Sequence, residues 1–447
     1  MQHRMKTPSL FLLLVLSTLP ACTLRQAGTP STPEARNLLK PEEAKALSEA
    51  YLQSGVALMQ GDAAQVIASL LRAVELNPGD DSLVYEVASA FAQTDNPEQA
   101  LLWLEKLVGL RSSLVPQDRD FPGLQGERYQ RVVEALQRNT PPSRGTVAFT
   151  LPERDLIPEG IAHDAVTGTF FVGSLLKRKV VAIRPDGTPT DFATAQAHGL
   201  DAVLGMRVDA RRRLLWVNSA AMPSMQGFNE ALRGRSTLHK FDLTTGRLLA
   251  RYTRAPGSGG HLLNDIALGP GGELYLTDSE AGEVLKLPAH APEGTAFEVL
   301  VPAGNLYYPN GITLSEDGRT LFIADFVHGI TVLRLDSGER LPLLHPRGTT
   351  TRGVDGLYFH QGSLLAVQNG HGPGRIVRMT LAESKDRILR TEVLEANHPS
   401  FRIPTTGVIA GESLYLIANS QLRSMSADGR YLPPERLEPV VLLRIPL

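Results

Sequence analysis

The sequence predicts a mainly β protein: a six-bladed β-propeller preceded by a small N-terminal all-α helical-repeat domain. Two observations carry this. From about residue 146 to residue 447 the apolar residues alternate with a period of two, and one strand–turn–strand pattern recurs six times. From about residue 41 to residue 138 the apolar period is instead helical. The chain of 447 residues is too long for one ordinary domain, which agrees with two folded units.

The propeller repeat is a short polar or glycine-bearing opening, an apolar strand, a turn and a second apolar strand. Pro158-Glu159-Gly160-Ile161 with Phe170-Phe171-Val172 is the first copy, and Thr406-Gly407-Val408 with Leu414-Tyr415-Leu416 is the last. The opening positions are Glu159, Leu204, Asn264, Asn310, Asp355 and Thr406, at steps of 45, 60, 46, 45 and 51 residues. A step near 45 is one four-stranded blade. The longer second step holds an insertion, about Ala220 to Ser236, expected to lie over one face as a lid or substrate-contacting loop. Thr146 to Leu151 and Val440 to Ile445 are expected to be neighbours in the last blade, so that the first strand locks the circle.

The helical part, residues 42–140, has four amphipathic stretches: Ala44 to Met59, Ala63 to Leu76, Ser82 to Phe91 and Glu98 to Leu107. Gly61-Asp62, Asn77-Pro78-Gly79-Asp80 and Asp95-Asn96-Pro97 separate them. Val66, Leu70 and Ala73 recur 34 residues later as Ala100, Leu104 and Leu107. That spacing resembles two tetratricopeptide-type repeats, closed by a helix near Arg128 to Arg138. A plain helical spacer is the alternative. Two repeats are few for a free-standing array, so this unit is expected to pack on the propeller or on a protein partner.

Residues 1–22 read as a leader. His3, Arg4 and Lys6 precede the apolar run Leu10 to Leu16, and Leu19-Pro20-Ala21-Cys22 follows. The run is too short to span a bilayer, and the order is that of a secretory signal. Its end resembles a bacterial lipobox. Cys22, the single cysteine, is then the lipidated residue, residues 23–41 are a flexible tether, and the protein is exported and lipid-anchored to the cell envelope. In a Gram-negative cell Thr23 favours the outer membrane. Ordinary cleavage near Ala21 is the other reading. The formal net charge of −2 gives no case for nucleic-acid binding.

In a propeller the residue opening each innermost strand points at the channel mouth. Glu159, Asn264, Asn310 and Asp355 therefore gather there, although they are far apart in sequence. One Glu, one Asp and two Asn offer hard oxygen ligands with a total charge of −2, a set suited to Ca²⁺. Asn310-Gly311 and Asp355-Gly356 are also common turn pairs, so turn chemistry alone remains open. Asp355 is the candidate general base or nucleophile, with His198 and His371 as candidate catalytic histidines. Asp201, Asn218, Asp278 and Asp325 are expected on or near the same face.

These stretches resemble the superfamily of gluconolactonase and the senescence-marker proteins (regucalcin), with paraoxonase and diisopropyl fluorophosphatase as relatives. The resemblance rests on Pro158-Glu159-Gly160-Ile161, Asn264-Asp265-Ile266-Ala267-Leu268-Gly269-Pro270, Pro309-Asn310-Gly311-Ile312 with Asp317-Gly318 and Ala324-Asp325, and Val354-Asp355-Gly356. His198-Gly199 is similar to the His-Gly of paraoxonase-like enzymes. The resemblance implies a Ca²⁺ held by Glu159, Asn264, Asn310 and Asp355, and hydrolysis of a lactone or related ester. Leu204 departs from a polar opening. A non-catalytic lipoprotein that uses propeller and helices as a binding scaffold is the second expectation.

Overall fold

The computed structural model of the protein describes residues 37–255, 259–370, 372–426 and 429–447. The leader, Cys22 and most of the tether lie outside the described residues, as does His371. Among the described residues no helix is long and apolar enough to cross a membrane.

Six four-stranded antiparallel sheets form the propeller. Blades 1 to 5 follow in chain order, with innermost strands Pro158–Asp164, Ala202–Asp209, Leu263–Leu268, Pro309–Leu314 and Val354–His360. Blade 6 takes Gly407–Ala410, Ser413–Ile417 and Val440–Pro446 from the end of the chain. Its outermost strand is Thr146–Leu151, with Thr146 opposite Arg444 and Leu151 opposite Val440. The ring is therefore closed by backbone hydrogen bonds between the first and last strands, as the alternation predicted. Apolar side chains of adjacent blades fill the space between sheets; Phe171, Val203 and Phe241 belong to one such cluster. On the face away from the openings, Arg213 makes a two-pronged ion pair to Asp164 across blades 1 and 2, at 2.6 and 2.8 Å.

Among the described residues five helices precede the propeller: α1 (Pro41–Gln60), α2 (Ala63–Leu76), α3 (Asp81–Gln93), α4 (Pro97–Gly109) and α5 (Glu127–Asn139). Asp62, Asp80 and Asn96 cap α2, α3 and α4 by accepting backbone N–H groups. Val66, Leu70, Ala73, Ala100, Leu104 and Leu107, the positions related by 34 residues, are all buried.

The helical unit docks on the propeller rather than standing apart. Asp80 (1% exposed) pairs with Arg352 (3% exposed) at 3.0 Å, and Asp81 pairs with Arg375 at 2.9 Å. The Arg352 guanidinium also lies over the Tyr51 ring, 4.4 Å from its centroid. Asn77 receives Gly348 N–H at 2.8 Å and donates to the Thr349 carbonyl at 3.0 Å. Gly79 meets Gly348 so closely that a Cβ on Gly79 would lie 2.9 Å from the Gly348 Cα. These contacts all fall on the connection between blades 4 and 5 and on blade 5, beside Asp355.

Removing one partner of a buried ion pair leaves the other charge uncompensated, at a cost of about 3–5 kcal/mol. Arg352→Ala should lower stability by that order in a denaturant titration, and an unchanged midpoint would show that Asp80 does not need it. Asp164 is buried, which raises its pKa, but Arg213, Thr167 and the Val166 N–H bring it down to about 2. The stability it contributes is present above the unfolded carboxylate pKa near 4 and is lost as pH falls through about 2. Thermal melts from pH 5 to pH 2 should therefore show a smaller acid loss in Arg213→Ala than in the parent chain.

Candidate functional site at the channel mouth

Each of the first five innermost strands carries the same irregularity. In blade 1 Pro158 faces Ser174 and Ile161 faces Val172, so two residues, Glu159 and Gly160, stand opposite Gly173 alone. The same two-against-one shift places Leu204-Gly205, Asn264-Asp265, Asn310-Gly311 and Asp355-Gly356 in bulges in blades 2 to 5. A bulge re-aims a side chain and bends the strand. Here it frees the opening residue from the alternation of the sheet, in five blades alike.

The glycine beside the opening residue has a steric reason. A Cβ on Gly160 would overlap the carbonyl of Leu204, on Gly205 that of Asn264, and on Gly311 that of Asp355. Neighbouring innermost strands approach so closely that no side chain fits between them. Blade 3 departs from this by placing Asp265 at that position. Burial raises its pKa, against the nearby Arg207 and the Ile266 and Ile312 N–H groups. The carbonyls of the ring are also pinned: Thr406 donates to Glu159 O, Asn218 to Asn264 O at 3.0 Å, and Thr277 to Asn310 O at 2.7 Å.

The predicted quartet is buried: Glu159 5%, Asn264 4%, Asn310 2% and Asp355 3% exposed. Among the described residues, Glu159 Oε2, Asn310 Oδ1 and Asp355 Oδ1 find no hydrogen-bond partner. Asn264 spends its amide nitrogen on Ser279 at 2.9 Å, which leaves its oxygen as the remaining donor atom. Asn369 holds Asp355 Oδ2 at 2.5 Å and is itself fixed by the Pro404 carbonyl at 2.9 Å. Burial, then the charges of Asp355 and Asp265, push the Glu159 carboxyl well above its usual range. Burial also raises Asp355, against the Asn369 hydrogen bond. Two such carboxyls cannot both ionise cheaply without a cation between them. Buried oxygens without partners and a shared excess of negative charge are what a hard cation would satisfy. Among the described residues no three His, Cys, Asp or Glu side chains gather at metal-holding distance; half of this donor set is amide.

An apolar collar surrounds the mouth. Leu204 packs in it with Ile157, Ala202, Leu262 and Leu437, which explains the missing polar opening in blade 2. The insertion after Ala220 contributes Ala221 and Met225 to the same cluster, so it is a packed rim. Ile157 and Tyr308, each just before an opening proline, hold left-handed backbone at φ 46° and 62°. Such backbone costs about 1–2 kcal/mol per residue and persists where surrounding packing dictates it.

Not every expected residue joins the site. His198 ends the short helix Ala195–His198 near the outermost strands. Its Nδ1 accepts Thr194 N–H, its ring packs edge-on against Phe241, and its carbonyl accepts from Arg251. It is anchored at the outer end of the link between blades, away from the channel, and so corrects the expectation that it assists. Asp201, Asp278 and Asp325 are engaged in holding loops, by Arg235, by His261 with the Leu262 N–H, and by the Tyr307, Val327 and His328 N–H groups respectively. Asn218 does lie beside the quartet, and its Oδ1 is a further buried oxygen without a partner. Asn369 is a contributor that the sequence does not mark out; it lies two positions before the candidate His371.

No family model matches the chain. A lactonohydrolase of Aspergillus oryzae is 26% identical over 119 residues. The chain is similar to a lactone-hydrolysing protein. The match takes in 24% of this chain and 27% of the relative, so the chain spans about a quarter of that protein's length. Solved structures to which the chain is similar include a gluconolactonase and a regucalcin. A gluconolactonase from Xanthomonas campestris aligns with a TM-score of 0.45 at 17% identity, over 66% of this chain and 89% of its own. Regucalcin from Agrobacterium tumefaciens, described as a calcium-binding protein, aligns with a TM-score of 0.44 at 16% identity, over 67% and 93%.

The close approach of the blades can be probed at Gly311. Overpacking a closed site costs about 1–3 kcal/mol. Gly311→Ala should destabilise by that order, because the Cβ meets backbone that cannot swing aside. Gly109→Ala, which meets nothing within 4 Å at the end of α4, should be neutral or stabilising. Equal melting temperatures for the two variants would contradict the close approach of the blades.

Proposed function

We propose that the protein is an exported, lipid-anchored, calcium-dependent hydrolase of lactones or related esters. The observation that carries this reading is a set of buried oxygens that find no hydrogen-bond partner among the described residues, Glu159 Oε2, Asn310 Oδ1 and Asp355 Oδ1, on residues that open innermost strands. The lactonohydrolase similarity supports the substrate class, and the leader ending in Cys22 supports export and anchoring.

Glu159, Asn264, Asn310 and Asp355 are the residues that would hold the ion. When bound, calcium supplies Lewis-acid polarisation of the substrate carbonyl. The chain's own groups do the rest. Asn369 fixes Asp355 through Oδ2, so Oδ1 keeps one orientation toward the mouth. Asp355 takes the proton of an attacking water as its oxygen bonds to the carbonyl carbon. The ring C–O bond then breaks, and the alkoxide leaving group receives that proton. The apolar collar excludes bulk water and strengthens each of these polar contacts. The tertiary contacts of the helical unit lie on the propeller itself, which favours the enzyme over a scaffold whose helices await a partner.

The test is a thermal melt with calcium and with a chelator, on the soluble chain and on Asp355→Asn. Calcium at about 100 times its dissociation constant should add about 2.7 kcal/mol to the parent. The variant should lose that gain and open lactones at least ~100-fold more slowly. A parent that melts alike under both conditions, or a variant that retains full turnover, would overturn the assignment.

A further inference from the structure

The helical domain and the propeller enclose a cavity of about 210 Å³ that neither unit could form alone. Tyr51, Leu52 and Leu58 of α1, Leu70 of α2 and Tyr85 of α3 wall one side. Phe326 and Asn369, on loops of blades 4 and 5, wall the other. Asn369 is the same residue that holds Asp355. Asn369 is thus a wall shared by the cavity and the channel-mouth carboxylate.

We propose that this cavity is the specificity pocket for the reaction, receiving an apolar substituent carried by the lactone or ester ring. The proposal rests on the hydrolase reading above. It makes the N-terminal helices a substrate-selecting wall of the site.

The wall chemistry points to an apolar occupant. Its polar groups are largely spent on one another. Tyr85 Oη donates to Asp120 at 2.8 Å, Ser89 donates to the Asp120 carbonyl at 3.0 Å, Gln93 donates to Ser89 at 3.0 Å, and Tyr51 Oη donates to Glu86 at 3.3 Å. The aliphatic part of the lining, Leu52, Leu58, Val66 and Leu70, gains by removing apolar area from water. Arg423 also lines the cavity and keeps a buried Nε without a partner among the described residues. The one polar feature the substituent could offer is therefore an acceptor oxygen. The wall is held rigidly in place, because the Asp80–Arg352 and Asp81–Arg375 pairs and the Gly79–Gly348 contact fix the helices against blade 5.

The experiment compares kcat/KM for γ-valerolactone and γ-undecalactone, which share a ring and differ in chain length. The parent chain should prefer the long-chain lactone by at least tenfold. Leu58→Trp, which fills the cavity from a half-buried position, should bring that ratio toward one. Leu52→Trp is the second variant, should the first fold poorly. A parent without chain-length preference, or variants that keep the parent's ratio, would overturn the pocket. If no lactone is opened at all, the hydrolase reading fails separately. Calorimetry with γ-undecalactone then decides the pocket: binding lost in the tryptophan variants supports it, and no binding to the parent overturns it.

Discussion

The site depends on one repeated backbone constraint. Six innermost strands converge on a channel, and neighbouring strands come so near that a Cβ at Gly160, Gly205 or Gly311 has no room. Each of the first five strands meets that crowding with an extra residue at its opening. The bulge turns the opening side chain out of the sheet's alternation, and the small residue after it lets the blades close. Because the ring carbonyls are tied to Thr406, Asn218 and Thr277, the backbone has little freedom to relax. Buried oxygens can then be held without partners, a costly state in a core that could rearrange.

The same rigidity explains how two carboxylates coexist with so little solvent. Glu159 and Asp355 are raised by burial before any charge is counted. Asp265 adds a third carboxyl deeper in the ring, moderated by Arg207. Asn369 supplies a directed N–H to one oxygen of Asp355 and leaves the other buried, without a hydrogen-bond partner among the described residues. The apolar collar keeps the effective dielectric low around all of them, and so each polar contact at the mouth counts for more than it would in water.

The helical domain sets the approach to this mouth on one side. Its contacts fall on the strand connection that leads directly into Asp355, and on the turn that carries Asn369. A change in how the helices dock therefore reaches the site through covalent neighbours, within a few residues. The buried Asp80–Arg352 pair gives the docking a defined geometry, since neither charge has water to fall back on.

Local pattern was enough to determine the six blades, the closing strand and the four buried opening residues. The period of two and the step near 45 are written along the chain, and each opening sits beside a glycine or acidic residue that can be read directly. The helical stretches were equally legible, because caps such as Asp62 and Asn96 act within a few residues. Tertiary structure alone decided the rest. His198 looked equivalent to a site residue in sequence, yet it falls at the outer end of its link, a matter of radial distance that no spacing encodes. Leu204 looked like a defect until the insertion after Ala220 packed against it. Asn369 gained its role only when a second-strand turn met the Asp355 carboxylate. The cavity between helices and blades exists because Asp80 finds Arg352, 272 residues away. Contacts between distant segments are set by how the whole chain packs, and a sequence states only the chemistry each segment brings to them.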